Sequence, residues 1–119
     1  MEIKDLQLWV EGYILAWNTN NPEDIGRLFT LKGRYYTAPY RVPWEGRQQI
    51  ISGWLGRKDL PGEFEFRHEI LGVSGNEGFI RGWTKYHDPP REYSNLWVVR
   101  LTNQGECEEF IEWWMEHEG

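Results

Sequence analysis

The stretch from residue 93 to residue 115 constrains this chain more than any other. An extended run over 93–102, with strand-favouring Trp97, Val98 and Val99, is followed by Asn103-Gln104-Gly105. A second run starts at Glu106 and contains Phe110-Ile111-Glu112-Trp113-Trp114-Met115. Asn-Gln-Gly fits a three-residue hairpin loop with glycine at the left-handed position. Neighbours on a strand point to opposite faces. Trp113 and Trp114 therefore lie on opposite sides of one sheet, and both sides need cover.

Regular pairing across that loop sets Leu101 opposite Cys107, Val99 opposite Glu109, Trp97 opposite Ile111 and Asn95 opposite Trp113. This face is nearly all apolar and suits packing against helices. The other face carries Leu96, Val98, Arg100, Glu108, Phe110, Glu112 and Trp114, with Arg100 across from Glu108. Its mixture of apolar groups and complementary charges is what a homodimer surface through the sheet would need. A slip of one residue would exchange several of these assignments.

The helices belong to the first half. Ile3, Leu6, Val10, Tyr13, Ile14 and Trp17 form a helical stripe that ends in Asn18-Thr19-Asn20-Asn21. Asn21-Pro22-Glu23-Asp24 restarts a helix with an N-cap, proline at the first position and acids in the first turn. Ile25, Leu28 and Phe29 form its buried side. A short strand is expected over 34–38 and an ordered loop around Pro39 and Pro43. A third helix over 48–57 is weakened by Gly53 and Gly56. Extended runs over 63–73 and 79–87 complete a four-strand antiparallel meander with the hairpin.

One domain spanning 1–119 is expected from the length. The net charge of −6 offers no basic stripe for nucleic acid. No apolar run approaches the roughly 18 residues of a membrane span, and no apolar leader opens the chain, so a cytoplasmic protein is expected. Cys107 is the sole cysteine and no histidines show metal-ligand spacing, so neither a metal nor another cofactor is expected. Eight tryptophans stand out against a mean hydropathy of −0.71. Such rings either fill a small core or wall a ligand cavity.

Trp17-Asn18-Thr19-Asn20, Asp24 to Thr30, Gly33-Arg34-Tyr35-Tyr36, Trp44-Glu45-Gly46-Arg47 leading into Ile50-Ile51, and Tyr93 to Trp97 with Gly105 resemble, in order and spacing, the nuclear transport factor 2-like superfamily. The resemblance is to its SnoaL-like, polyketide cyclase-type branch and spans almost the whole chain. It implies an α+β cone, a curved antiparallel sheet wrapped around N-terminal helices, with a pocket in its mouth and often a dimer through the sheet. Members include isomerases, dehydratases, cyclases, epoxide hydrolases and proteins that only bind, because one fold hosts many sites. The family's enzymes usually place an aspartate or a His–Asp pair in the pocket; the late strands here carry glutamates instead.

Two functions follow as expectations. One is cofactor-independent acid–base chemistry on a mainly apolar cyclic small molecule; the other is a non-catalytic ligand-binding or dimerisation module. In the regular register Glu109 is the lone carboxylate on an apolar face, where burial raises a carboxyl pKa towards neutrality. Glu112 replaces it if the register slips, and Arg81 is an ion-pair partner that would make Glu109 structural. His68, in a long strand, is a second acid–base candidate or else an ordinary strand residue. Tyr36, Trp54, Trp83, Asn95, Trp97 and Trp113 are expected to line the cavity.

Overall fold

The computed structural model describes residues 1–118. Helix α1 (Ile3–Thr19) buries Leu6, Trp9, Val10, Tyr13 and Ala16, a stripe at helical spacing. Asn20, in the left-handed region, ends it, and the Asn21 side chain accepts from the Glu23 N–H at 2.8 Å to cap α2 (Pro22–Gly26). Helix α2 is shorter than the sequence pattern suggests. Leu28 O accepts from the Cys107 N–H at 2.7 Å, and the chain is already extended from Phe29.

Six strands follow around α3 (Arg47–Gly56): β1 (Phe29–Tyr36), β2 (Trp44–Glu45), β3 (Phe64–Ser74), β4 (Glu77–His87), β5 (Pro90–Leu101) and β6 (Cys107–Glu116). They form one curved, unclosed sheet in the order β2-β1-β6-β5-β4-β3. The expected antiparallel meander is β3 to β6. Strand β1 adds to β6 in parallel, so the sheet is mixed rather than wholly antiparallel. That pairing joins residues some 75 positions apart, such as Arg34 and Glu109, and leaves no local trace in the sequence.

The hairpin loop forms where expected, with Gly105 at φ +78°. Its register does not stay regular. Leu101 pairs with Cys107, but Arg100 pairs with Glu109, leaving Glu108 as an extra residue on β6. This bulge shifts everything beyond it by one position. Val99 faces Phe110, Trp97 faces Glu112, and Asn95 faces Trp114. The face expected for Trp114 is therefore occupied by Trp113.

The helices cover the inner face of the sheet. The core joins Leu6, Trp9 and Val10 of α1 and Ile50 of α3 to Ile80, Trp97, Val99 and Phe110 of the sheet. Helix α1 approaches β4 closely enough that a Cβ on Gly78 would lie 2.4 Å from the Leu6 side chain. Among the described residues no helix is long and apolar enough to cross a membrane.

Candidate functional site

A cavity of about 350 Å³ opens between the helices and the inner face of the sheet. Its floor comes from β5 and β6, where Asn95, Trp97, Glu112 and Trp114 alternate inward. Tyr13 and Trp17 reach it from the end of α1, Tyr35 from β1, and Trp54 from α3. Rings thus form about half of the lining, and the rest is polar or charged, with Thr84, Asn95 and Glu112 on the sheet and Arg57, Lys58, Asp59 and Arg91 around them.

Glu112 is the ionisable group on the floor. Its Oε2 accepts from Asn95 Nδ2 at 2.8 Å and from the indole Nε1 of Trp97 at 3.2 Å. The Thr84 hydroxyl donates to Asn95 Oδ1 at 2.8 Å, which orients the amide so that its NH₂ meets the carboxylate. Oε1 has no such partner among the described residues, and no buried side-chain oxygen there lacks one, so Oε1 opens on the cavity. Burial raises the Glu112 pKa to about 7, against the lowering effects of the two N–H donors and of the Arg57 charge. A carboxyl of this kind is divided between acid and base near neutral pH.

Facing it, the hydroxyls of Tyr13 and Tyr35 share one hydrogen bond of 2.7 Å. Burial pushes both phenols upward, helped at Tyr35 by the charge of Glu112 and at Tyr13 by Tyr35 and then Glu112, so both stay protonated. A pair of hydroxyls joined by one bond has one hydrogen left over, and neither phenol has another acceptor among the described residues. At the mouth, Asp59 Oδ2 accepts from Trp17 Nε1 at 3.0 Å and from the Tyr86 hydroxyl at 2.9 Å, which pins the loop after α3 across the opening. Among the described residues no three His, Cys, Asp or Glu side chains converge as a metal ion would require.

Of the residues singled out in the sequence, Trp54, Asn95, Trp97 and Glu112 meet in this cavity. Glu109 lies on the outer side, ion-paired with Arg34 of β1, because the extra residue at Glu108 turns the strand's phase. Arg81, considered as its partner, instead pairs with Glu69. Trp113 pairs with Leu96 on the outer face and is 40% exposed. Trp83 is also outside, with the guanidinium groups of Arg67 and Arg81 at 4.4 and 5.6 Å from its ring centre. Tyr36 yields its place to Tyr35, which stacks on Trp44 and Phe110. His68 is separated from the cavity by Phe66, whose ring stacks on it at 5.7 Å and on Trp97 at 5.1 Å.

The sequence reading did not single out Tyr13, Tyr35 or Trp114 as cavity residues. Tyr13 was visible only as a member of the α1 stripe. The choice between Tyr35 and Tyr36, or between Trp113 and Trp114, is one of strand phase and depends on a neighbouring strand.

No protein-family model matches the sequence, and no curated protein matches it significantly. Solved structures do resemble the fold. A nuclear transport factor 2-like protein of unknown function from Burkholderia xenovorans superposes with a TM-score of 0.77 at 14% identity, covering 100% of this chain and 89% of that one. An epoxide hydrolase from M. tuberculosis described as LEH-like gives 0.71 at 10% identity, over 96% and 84% of the two chains. A ketosteroid isomerase-like protein from Erwinia carotovora atroseptica gives 0.65 at 16% identity, over 89% and 90%. Helices on the inner face of a curved six-stranded sheet, a cavity in its mouth and these near full-length superpositions agree on one architecture: the chain has the nuclear transport factor 2-like fold.

Proposed function

We propose that the cavity binds a mainly apolar, ring-bearing small molecule and that Glu112 acts on it as a cofactor-independent general acid–base. Isomerisation, dehydration and cyclisation all require such a proton transfer. The observation that carries the reading is the state of the Glu112 carboxylate: one oxygen is held by Trp97 and Asn95, the other opens on the cavity, and the pKa is raised to about 7. A base whose pKa lies near the working pH has both the right protonation state and useful driving force. The unspent hydroxyl hydrogen of the Tyr13–Tyr35 pair would meet a ligand oxygen that gains negative charge as Glu112 removes a proton from carbon. Two of the structural neighbours carry ketosteroid isomerase-like and epoxide hydrolase descriptions, which accords with chemistry of this class on this fold.

The test is hydrogen–deuterium exchange at the acidic carbon of 2-tetralone in D₂O, followed by NMR. Wild type should accelerate exchange with a profile that rises through about pH 7. Glu112→Gln should lose about 10²-fold or more, the usual scale for a general base. Equal rates for the two proteins would leave the cavity as a binding site only, the second reading.

The same fold supports a proposed second copy on the outer face of the sheet. Leu96, Val98, Ile111, Trp113 and Met115 share that face, with Met115 69% exposed. The ion pairs Arg34–Glu109, Arg81–Glu69 and Arg100–Glu77 spread both signs of charge over β1 and β3 to β6. A patch with both signs around an apolar centre is self-complementary under a two-fold axis, as an isologous dimer requires.

A further inference from the structure

Most arginines of this acidic chain are neutralised in place. Among the described residues, Arg27, Arg34, Arg47, Arg81 and Arg100 each lie within 4.0 Å of a carboxylate. Arg41, Arg57, Arg67 and Arg91 have no such partner there. Three of these four gather at the cavity. Arg57 and Arg91 line it together with Lys58, which is also without a carboxylate, and Arg41 stands 5.9 Å over the ring of Trp114, a wall residue. Arg91 lies 5.3 Å from the ring centre of Tyr86, also in the wall.

The carboxylates of the site offset these cations only in part. Asp59, which accepts from the neutral donors Trp17 and Tyr86, and Glu112, which burial holds partly protonated near pH 7, stand against Arg57, Lys58 and Arg91 in the lining. Unpaired cations around a low-dielectric opening focus a positive potential into it. The field of Arg57 reaches the interior, since it acts to lower the pKa of both Glu112 and Tyr35. In a chain of net charge −6, a mouth of this sign selects for ligands of the opposite one.

Resting on the ligand-site reading above, we propose that the natural ligand is an amphipathic carboxylic acid: a ring-bearing apolar body seated between Tyr13, Trp54 and Trp97, with its carboxylate held at the mouth by Arg57 and Arg91. The guanidinium fork matches a carboxylate in geometry, which an ammonium does not. Flat guanidinium groups resting on rings such as Tyr86 are held in place before the ligand arrives, and less side-chain freedom is lost on binding. The carboxylate at the mouth leaves the rings beside Glu112 and the phenol pair, so recognition and proton transfer use opposite ends of one molecule.

Titration calorimetry at pH 7.5 and low salt with 2-naphthylacetate and its neutral isostere 2-naphthylacetamide tests this. Wild type should bind the acetate about tenfold more tightly than the amide, as charge-assisted hydrogen bonds warrant. In the Arg57→Gln/Arg91→Gln double variant the ratio should fall to about one, with acetate affinity falling far more than amide affinity and the fold retained, because both side chains are exposed and neither supports the core. Equal binding of the two probes by wild type, or a preference that survives in the double variant, would overturn the assignment while leaving the cavity a ligand site. Failure of both probes to bind would remove the ligand-site reading itself, and this inference with it.

Discussion

Glu109 and Glu112 stand three positions apart on β6 and have opposite electrostatic circumstances. Glu109 meets the Arg34 guanidinium on the outer face, whereas Glu112 meets only neutral N–H donors in a buried site. For Glu112 the consequence is a pH dependence of stability with a definite sign. Its pKa rises from 4.5 when exposed to about 7 in the fold, so between those values the folded chain binds more protons than the unfolded one. Stability is therefore greatest below about pH 4.5 for this group and declines as pH rises to about 7. The charge of Arg57 acts on it, and the phenols of Tyr13, Tyr35 and Tyr86 feel it; burial pushes all three phenols upward, so they stay protonated through that window. Glu112→Gln removes the titration while keeping an acceptor for Trp97. Urea melts should find the variant more stable than wild type at pH 8, by an amount on the order of 2 kcal/mol, and nearly equal to it at pH 4.5. A constant difference across pH would mean that the carboxyl titrates normally.

At the scale of elements, α3 contains two glycines that a propensity argument treats alike, and the fold treats them differently. A Cβ on Gly53 would stand 2.3 Å from the Trp44 ring, whereas one on Gly56 would meet nothing within 4 Å. Gly56→Ala should raise stability by roughly 0.5–1 kcal/mol through helix propensity alone. Gly53→Ala gains the same propensity but must displace the ring of Trp44, a cavity wall, and should lose about 1–3 kcal/mol net. Denaturant midpoints of the two variants moving in the same direction would show that packing against Trp44 does not limit α3. The elements themselves were largely legible. The stripe of α1, the Asn21-Pro22 start of α2 and the Asn103-Gln104-Gly105 turn are local signals carried by nearby residues. The bulge at Glu108 was not, because nothing in Cys107-Glu108-Glu109-Phe110 says which glutamate is the extra one.

At the scale of the whole molecule, the assignment of Trp113 to the outer face and Trp114 to the cavity mouth reverses the choice of residue with which to probe a dimer. Trp114 donates its indole N–H to Thr37 O at 3.1 Å and forms part of the cavity wall, so its replacement would report on the ligand site. Trp113→Glu places a charge in the outer apolar patch, where an isologous interface would carry it twice. Sedimentation velocity should give a dimer for wild type and a monomer for the variant, with thermal stability otherwise retained. A wild type that sediments as a monomer rejects the second copy on this face, and an unchanged dimer in the variant moves the interface elsewhere.

The residues by themselves determined the kind of fold and the parts from which a site would be built. Periodicity, caps and turns act within a few positions, and they specified three helices, the antiparallel meander and the two-faced terminal strand from which the nuclear transport factor 2-like resemblance followed. Tertiary structure decided which side of each strand faces inward. A strand's alternation has period two, so its phase is set by its neighbours, and one extra residue at Glu108 was enough to exchange Glu109 for Glu112 and Trp113 for Trp114. The parallel addition of β1 to β6, which joins Arg34 to Glu109 and brings Tyr35 onto Phe110, rests on a contact across most of the chain length. The pKa of Glu112 followed from that geometry, because burial among rings, rather than residue type, raised it.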